Sequence, residues 1–271
     1  MDNERMFSGL DEDGATAVDL RLERHLAKRG IGCGEHKEAP ERCRSCAIRQ
    51  SGICSALTDE ELIKLSRTAH HRKYAPGQVI LRSDDKPAFR AAVVSGVVKL
   101  TKLLVDGRHQ IVDLLFPADF VGRLHSRQTP YFAEAATHVE LCCFRAGDFE
   151  SMLGDHADMQ EHMLEHTLSK LDAAHDWMVL LGRKTAEERV ASLLYLLVTR
   201  ANLAPDAGED GECSARFDLH LTREEMASFL GLTYETVIRQ LKALGDQGII
   251  ALSSRRVFSV PDIEALRQAG G

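Results

Sequence analysis

The sequence lacks an excess of positive charge, a long hydrophobic run and a cationic leader, and each shortage excludes something. Its 34 Lys and Arg are outnumbered by 41 Asp and Glu, a net charge of -7 over 271 residues. Such a surface does not neutralise phosphate indiscriminately, so any nucleic-acid contact must be local. The densest apolar stretch, Leu193 to Val198, is about a third of a membrane span. The first residues include Asp2, Glu4, Asp11, Glu12 and Asp13, the wrong sign for a secretory leader. A cytoplasmic protein with no membrane partner is expected. No serine–histidine–acid grouping or phosphate-binding glycine motif stands out, and the chain does not read as an enzyme. No internal repeat is visible.

The length suits two domains, and 44% hydrophobic with 28% charged residues is ordinary soluble composition. Seven cysteines remain: Cys33, Cys43, Cys46, Cys54, Cys142, Cys143 and Cys213. An odd number without a leader disfavours a disulfide framework and favours metal or redox chemistry. Cys213, beyond an acidic loop at Pro205 to Gly211, reads as a free thiol.

The first forty residues are mixed and charged, with one weakly helical stretch at Val18 to Arg29 and glycines at 30, 32 and 34. Thr58 with Glu61 forms a capping-box pattern and predicts a short helix over Thr58 to Thr68. From Tyr74 to Phe144 the texture is β: Gln78 to Arg82, Ala91 to Ser95, Val97 to Leu104, His109 to Phe116 and Val139 to Phe144. Asp106-Gly107 between two apolar runs predicts a hairpin. Several short strands at this spacing suggest an antiparallel barrel or jelly roll.

After Phe149 the period becomes helical. Leu164, Leu168, Leu171, His175 and Met178 share one stripe of a long helix ending near Gly182. Two readings stay open: the stripe covers the β-domain's core, or it is a seam between two chains. A second helix, Ala186 to Leu203, carries Val190, Leu193, Leu194, Leu197 and Val198 as the core of a C-terminal domain.

Leu221 to Ile250 reads LTREEMASFLGLTYETVIRQLKALGDQGII. Thr222 with Glu225 opens one short helix with Met226, Phe229 and Leu230 buried, and Gly231 breaks it. Thr233 caps a second, whose apolar positions Val237, Leu241 and Leu244 leave Tyr234, Glu235, Ile238 and Arg239 facing outward. This pattern matches the helix-turn-helix, whose second helix enters the major groove. A generic helical hairpin would carry Glu235 and Arg239 as an exposed ion pair. As base readers, Arg suits the two acceptors of guanine and Glu the cytosine amino group. Ile249 to Leu252 and Val257 to Val260 could pair as a small wing.

Cys43-Arg-Ser-Cys46, seven residues, then Cys54 places three thiols in a short loop. A fourth ligand must come from elsewhere. Cys142 and Cys143 lie on a predicted strand and point to opposite faces, so only one can serve. Thiolates alone suit zinc or an iron–sulfur cluster. Unrelated thiols are the third reading.

The order of cysteine segment, β-domain, long helix and winged helix-turn-helix resembles the CRP/FNR superfamily of transcription regulators, in its FNR/FnrL-type branch. The resemblance covers about Cys43 to Leu266. It is sharpest in CRSCAIRQSGIC, DGRHQIVDLLFPADFVG, TAEERVASLLYLL and LTREEMASFLGLTYETVIRQL.

The resemblance implies an α+β chain: a β-roll (a cyclic-nucleotide-binding-like jelly roll), a dimerisation helix and a C-terminal winged helix-turn-helix. The expected divisions are an extension over 1–42, cluster segment and roll over 43–154, dimerisation helix over 155–182 and DNA-binding domain over 183–271. It further implies an oxygen-responsive homodimer with a 4Fe–4S cluster, a palindromic site on double-stranded DNA, and contact with RNA polymerase. Cys43, Cys46 and Cys54 correspond to the loop ligands, and Cys142 in ELCCF to the fourth. Leu164, Leu168, Leu171, His175 and Met178 correspond to the dimer seam. Thr233, Tyr234, Glu235, Ile238 and Arg239 fall on the DNA-reading face, Glu235 and Arg239 matching the base-reading pair. Ile238 stands where this branch usually has serine, which predicts an altered preference beside the base pair they read. The pocket residues for cyclic nucleotide are missing from Phe120-Val121-Gly122-Arg123 and Thr129-Pro130, so direct nucleotide binding is not expected. A zinc- or thiol-redox regulator of the same fold, and an iron–sulfur electron carrier, are the rival functions. The carrier has no need of an exposed Glu and Arg on a recognition helix.

Overall fold

The computed structural model describes residues 40–200 and 215–271, apart from Asp84, Pro87, Arg127, His220, Arg255 and Arg256. The helix expected at Val18 to Arg29, the acidic loop after Leu203, Cys33 and Cys213 lie outside the described residues.

The chain opens on a short helix α1 (Glu41–Arg44), a 3-10 turn (Ile53–Ala56) and helix α2 (Asp59–Thr68). The capping box at α2 is complete: Thr58 N–H donates to Glu61 Oε2 at 2.8 Å, and Glu61 N–H to Thr58 Oγ1 at 3.4 Å. Eight strands follow: β1 (His70–Tyr74), β2 (Val79–Leu81), β3 (Phe89–Ser95), β4 (Val98–Leu103), β5 (His109–Leu115), β6 (Phe120–Val121), β7 (Phe132–Ala135) and β8 (Val139–Arg145). They form two antiparallel four-stranded sheets, ordered β1-β8-β3-β6 and β2-β7-β4-β5. The sheets enclose Ala91, Val93, Val98, Ala135, Leu141 and Cys143 as the roll interior. The β4–β5 hairpin turns where expected, with Gly107 at φ 87, a conformation that favours glycine.

Strands β1, β6 and β7 have no clear sequence signature. The β1 segment, HHRKY, shows no apolar alternation because it is an edge strand with four of five residues exposed. It belongs to the sheet through its pairing with β8, which sets His71 opposite Cys142. Strand β7, FAEA, buries only Ala133 and Ala135, residues with little intrinsic β preference.

Helix α3 (Ala146–Asp155) leads into α4 (Ala157–Arg183), 27 residues long. The face of α4 that covers the protein is not the leucine stripe. Met159, Met163 and Leu180 are buried, and His166 and Lys170 bond Asp119 of the roll at 3.1 and 2.6 Å. Leu164, Leu168, Leu171 and Met178 are 50–70% exposed. The reading in which the stripe covers the roll's core is thereby overturned.

Helix α5 (Ala186–Arg200) is followed by β9 (Ala215–Asp218), α6 (Arg223–Leu230), α7 (Tyr234–Asp246), β10 (Ala251–Leu252), β11 (Val257–Val260) and α8 (Ile263–Ala269). The expected wing is present as β10 and β11, and β9 adds a third strand in the order β10-β11-β9. Val190, Leu193, Leu194 and Leu197 of α5 pack with Met226, Val237 and Leu241 in one core. That core continues into the roll through Val97, Ile111, Leu114 and Phe116, so α6 sits against the β4–β5 hairpin.

Candidate nucleic-acid interface and thiol cluster

Local chemistry builds the helix pair. Thr222 and Glu225 close a second capping box at α6, with the Thr222 N–H to Glu225 Oε2 distance 2.7 Å. Gly231 ends α6 at φ 61, the left-handed conformation of a helix C-terminus. Thr233 caps α7, accepting from Thr236 N–H at 3.3 Å. Val237, Leu241 and Leu244 are buried, which turns Tyr234, Glu235, Ile238 and Arg239 outward. Arg239 donates through Nη2 to Thr236 Oγ1 at 3.4 Å, and among the described residues no ion pair joins it to Glu235. Both side chains therefore stand available to a groove.

Ile238 has a different neighbourhood from Arg239. It lines a groove of about 560 Å³ between α7 and the wing, with Arg223, Leu241, Lys242, Ile250 and Leu252. Arg223 and Lys242 set two cations, and Asp246 one carboxylate, beside this apolar floor. Arg223 was not singled out from the sequence, because its place beside α7 depends on the α6–α7 packing.

The cysteines occupy four pieces of chain. Cys43 is in α1, and its N–H donates to the Pro40 carbonyl at 2.8 Å. Cys46 follows, its carbonyl accepting from Arg49 N–H at 3.0 Å. Cys54 is in the 3-10 turn, and Cys142 is on β8. Alternation along β8 decides between the neighbouring pair: Leu141 and Cys143 point into the roll, while Cys142 and Phe144 point out. On that outer side Cys142, Cys43 and Cys54 each pack against the cluster that holds Phe144, Phe149 and Leu62.

The four thiols share one electrostatic neighbourhood. Burial pushes Cys54 up to about 12; Arg49 opposes the rise, and Cys46 and Cys43 add to it. Cys142 is raised by burial, then by Cys54, Cys46 and Cys43. Burial also raises Cys46, with the Ile48 N–H opposing and Cys43 adding. Cys143 is raised to about 11 by burial, with Arg72 opposing, and its side chain lies in the roll interior. Among the described residues no three Cys, His, Asp or Glu side chains close on a point that a single metal ion would fill.

Two family models match: a Crp-like helix-turn-helix domain over residues 188–269 and a cyclic nucleotide-binding domain over 71–156. The chain is 44% identical to the transcriptional activator protein FnrL of Cereibacter sphaeroides, over 85% of this chain and 92% of that protein. It is 34% identical to the nitrogen fixation regulation protein FixK of Bradyrhizobium diazoefficiens, over 78% and 86% of the two. The solved structure of FixK2 from Bradyrhizobium japonicum superposes with a TM-score of 0.66 at 30% identity, covering 75% of this chain and 98% of that one. The chain belongs to the CRP/FNR superfamily of transcription regulators, in its FNR/FixK branch.

This CRP/FNR regulator is thus a DNA-binding protein of the FnrL and FixK type, and its relatives are not enzymes. Among the described residues no helix is long and apolar enough to cross a membrane.

Proposed function

We propose that this regulator responds to oxygen through a 4Fe–4S cluster held by Cys43, Cys46, Cys54 and Cys142. In this reading the loaded protein dimerises through α4 and binds palindromic promoter sites in the cytoplasm at low oxygen, in contact with RNA polymerase. The observation that carries it is that Cys142 shares one apolar patch with the loop thiols Cys43 and Cys54, while Cys143 faces away into the roll.

The donor set fits such a group. Burial favours the neutral form of Cys46, Cys54 and Cys142, so holding them as thiolates calls for a cationic inorganic core. When bound, a 4Fe–4S cluster supplies an oxygen-labile centre whose ligation fixes the cysteine loop.

The chain's own contacts give that loop a route to the dimer helix. Ile53, next to Cys54, lies with His162 and Met163 of α4 around a small cavity. Whatever fixes Cys54 therefore fixes the turn that packs on α4. The exposed leucines on the other side of α4 suit a symmetric seam; with 50–60% of each still exposed, burial would contribute about half of the ~1.5–3 kcal/mol of a fully buried leucine. A two-fold dimer presents two α7 helices and so reads a palindrome.

The test is iron and sulfide content, with visible absorption, of protein purified without air. A broad absorption band that bleaches on aeration is expected. A colourless protein carrying zinc would overturn the reading.

A further inference from the structure

Arg49 lies between the second and third cysteines of the loop. Its backbone N–H donates to the Cys46 carbonyl at 3.0 Å. Its guanidinium donates through Nη1 to the Cys54 carbonyl and through Nη2 to the Leu57 carbonyl, the latter at 3.4 Å. One residue thus ties the backbone at two of the four thiol positions. Its acceptors are all neutral carbonyls, and among the described residues no carboxylate pairs with it. Its Nε–H is buried with no acceptor. Burying a charged donor without a partner is costly, and the orphaned group calls for an acceptor.

A purely structural staple accounts for the two carbonyl bonds but for neither the uncompensated charge nor the orphaned Nε–H. An anionic group seated among the four thiols accounts for both. Four thiolates around an iron–sulfur core leave a net negative charge, and that group carries sulfur acceptors. The bond from its guanidinium to the Cys54 carbonyl sets that charge beside a loop thiol position.

We infer that Arg49 is the counter-charge of the thiol site, a positioning residue that stabilises the anionic group there and offers it the Nε–H as a hydrogen-bond donor. The inference rests on the four-thiolate reading above. A fixed cation in a low-dielectric site favours the more negative state of its neighbour, so it raises the reduction potential and slows ligand loss.

The test uses the full chain purified without air, as parent, Arg49→Gln and Arg49→Lys. Iron and sulfide content, the midpoint potential of the visible chromophore, the rate of iron loss to a chelator and far-ultraviolet dichroism are measured on each. Arg49→Gln is expected to have a lower potential and to lose iron several times faster, with unchanged dichroism. Arg49→Lys restores the charge without the planar fork and should recover part of both. An Arg49→Gln protein with the parent's potential and rate overturns the inference, and so does an Arg49→Lys protein no closer to the parent than Gln. If Arg49→Gln retains no iron, Arg49→Lys decides: a potential near the parent's supports the counter-charge, and iron loss with intact dichroism overturns it. A parent free of iron and sulfide overturns the four-thiolate reading, and the inference with it. An iron-loaded parent matched by its variants overturns the inference alone.

Discussion

Lys99 Nζ on strand β4 bonds Glu134 Oε1 at 2.6 Å and pairs with Glu225, the residue that completes the capping box of α6. One buried cation therefore joins the roll to the first helix of the DNA-binding pair. Ser228, one turn further along α6, accepts from Ile111 N–H of β5 at 3.3 Å, and Trp177 of α4 meets Phe229 edge-on at 4.5 Å. Recognition helix, roll and α4 are coupled through α6.

Lys99→Met should destabilise the protein, because it leaves Glu134 and Glu225 facing each other without their cation. The expected loss is about 2–3 kcal/mol, at or below the range for a fully buried pair, since Glu134 keeps 32% of its side-chain exposure. Urea denaturation measures it. Adding Glu225→Gln should recover part of the loss, and a double variant no more stable than Lys99→Met would show that the two glutamates do not repel.

Leu171→Glu should yield a folded monomer from a dimeric parent, because it sets a charge in the proposed seam while touching no buried contact of α4. Sedimentation velocity checks this. An unchanged dimer would move the seam elsewhere.

Cys142→Ser should abolish iron binding, and Cys143→Ser should leave it. Cys143 is a small apolar filler of the roll interior, so its serine variant costs stability instead. Iron analysis of the two variants separates them, and the reverse pattern would reassign the fourth ligand.

Much of this arrangement was legible in the residues. The capping boxes Thr58–Glu61 and Thr222–Glu225, the Asp106-Gly107 turn and the Val237, Leu241 and Leu244 face are local, and local chemistry writes them into sequence. The opposite orientations of Cys142 and Cys143 followed from strand alternation alone. What was not legible is tertiary. Strand β1 exists through its partner β8, and HHRKY carries no pattern of its own. Lys99 and Glu225 lie on different domains, and nothing in their surrounding residues announces a pair. Periodicity located the α4 stripe but not its direction; that required Asp119, which draws the other face of the helix onto the roll.

Asp119 also gives a pH dependence. Burial pushes its carboxyl up, but the bonds from His166, Lys170 and the Phe116 N–H override this and hold it at about 2, against 3.8 ordinarily. The folded form therefore releases this proton more readily than the unfolded form. The stabilisation is present above about pH 4 and lost as pH falls towards 2, amounting to about 2 kcal/mol. Urea midpoints from pH 5 to 2 should fall less steeply for Asp119→Asn than for the parent. Parallel slopes would show that Asp119 carries none of the acid sensitivity.

The most direct measurement is binding of a palindromic duplex by one anaerobic sample, before and after air, with sedimentation and visible absorption followed together. The expected result is a coloured dimer that binds the duplex, and a bleached, lighter species that binds weakly once aerated. Equal binding in both conditions by a colourless protein of unchanged mass would contradict an oxygen-responsive, cluster-dependent regulator.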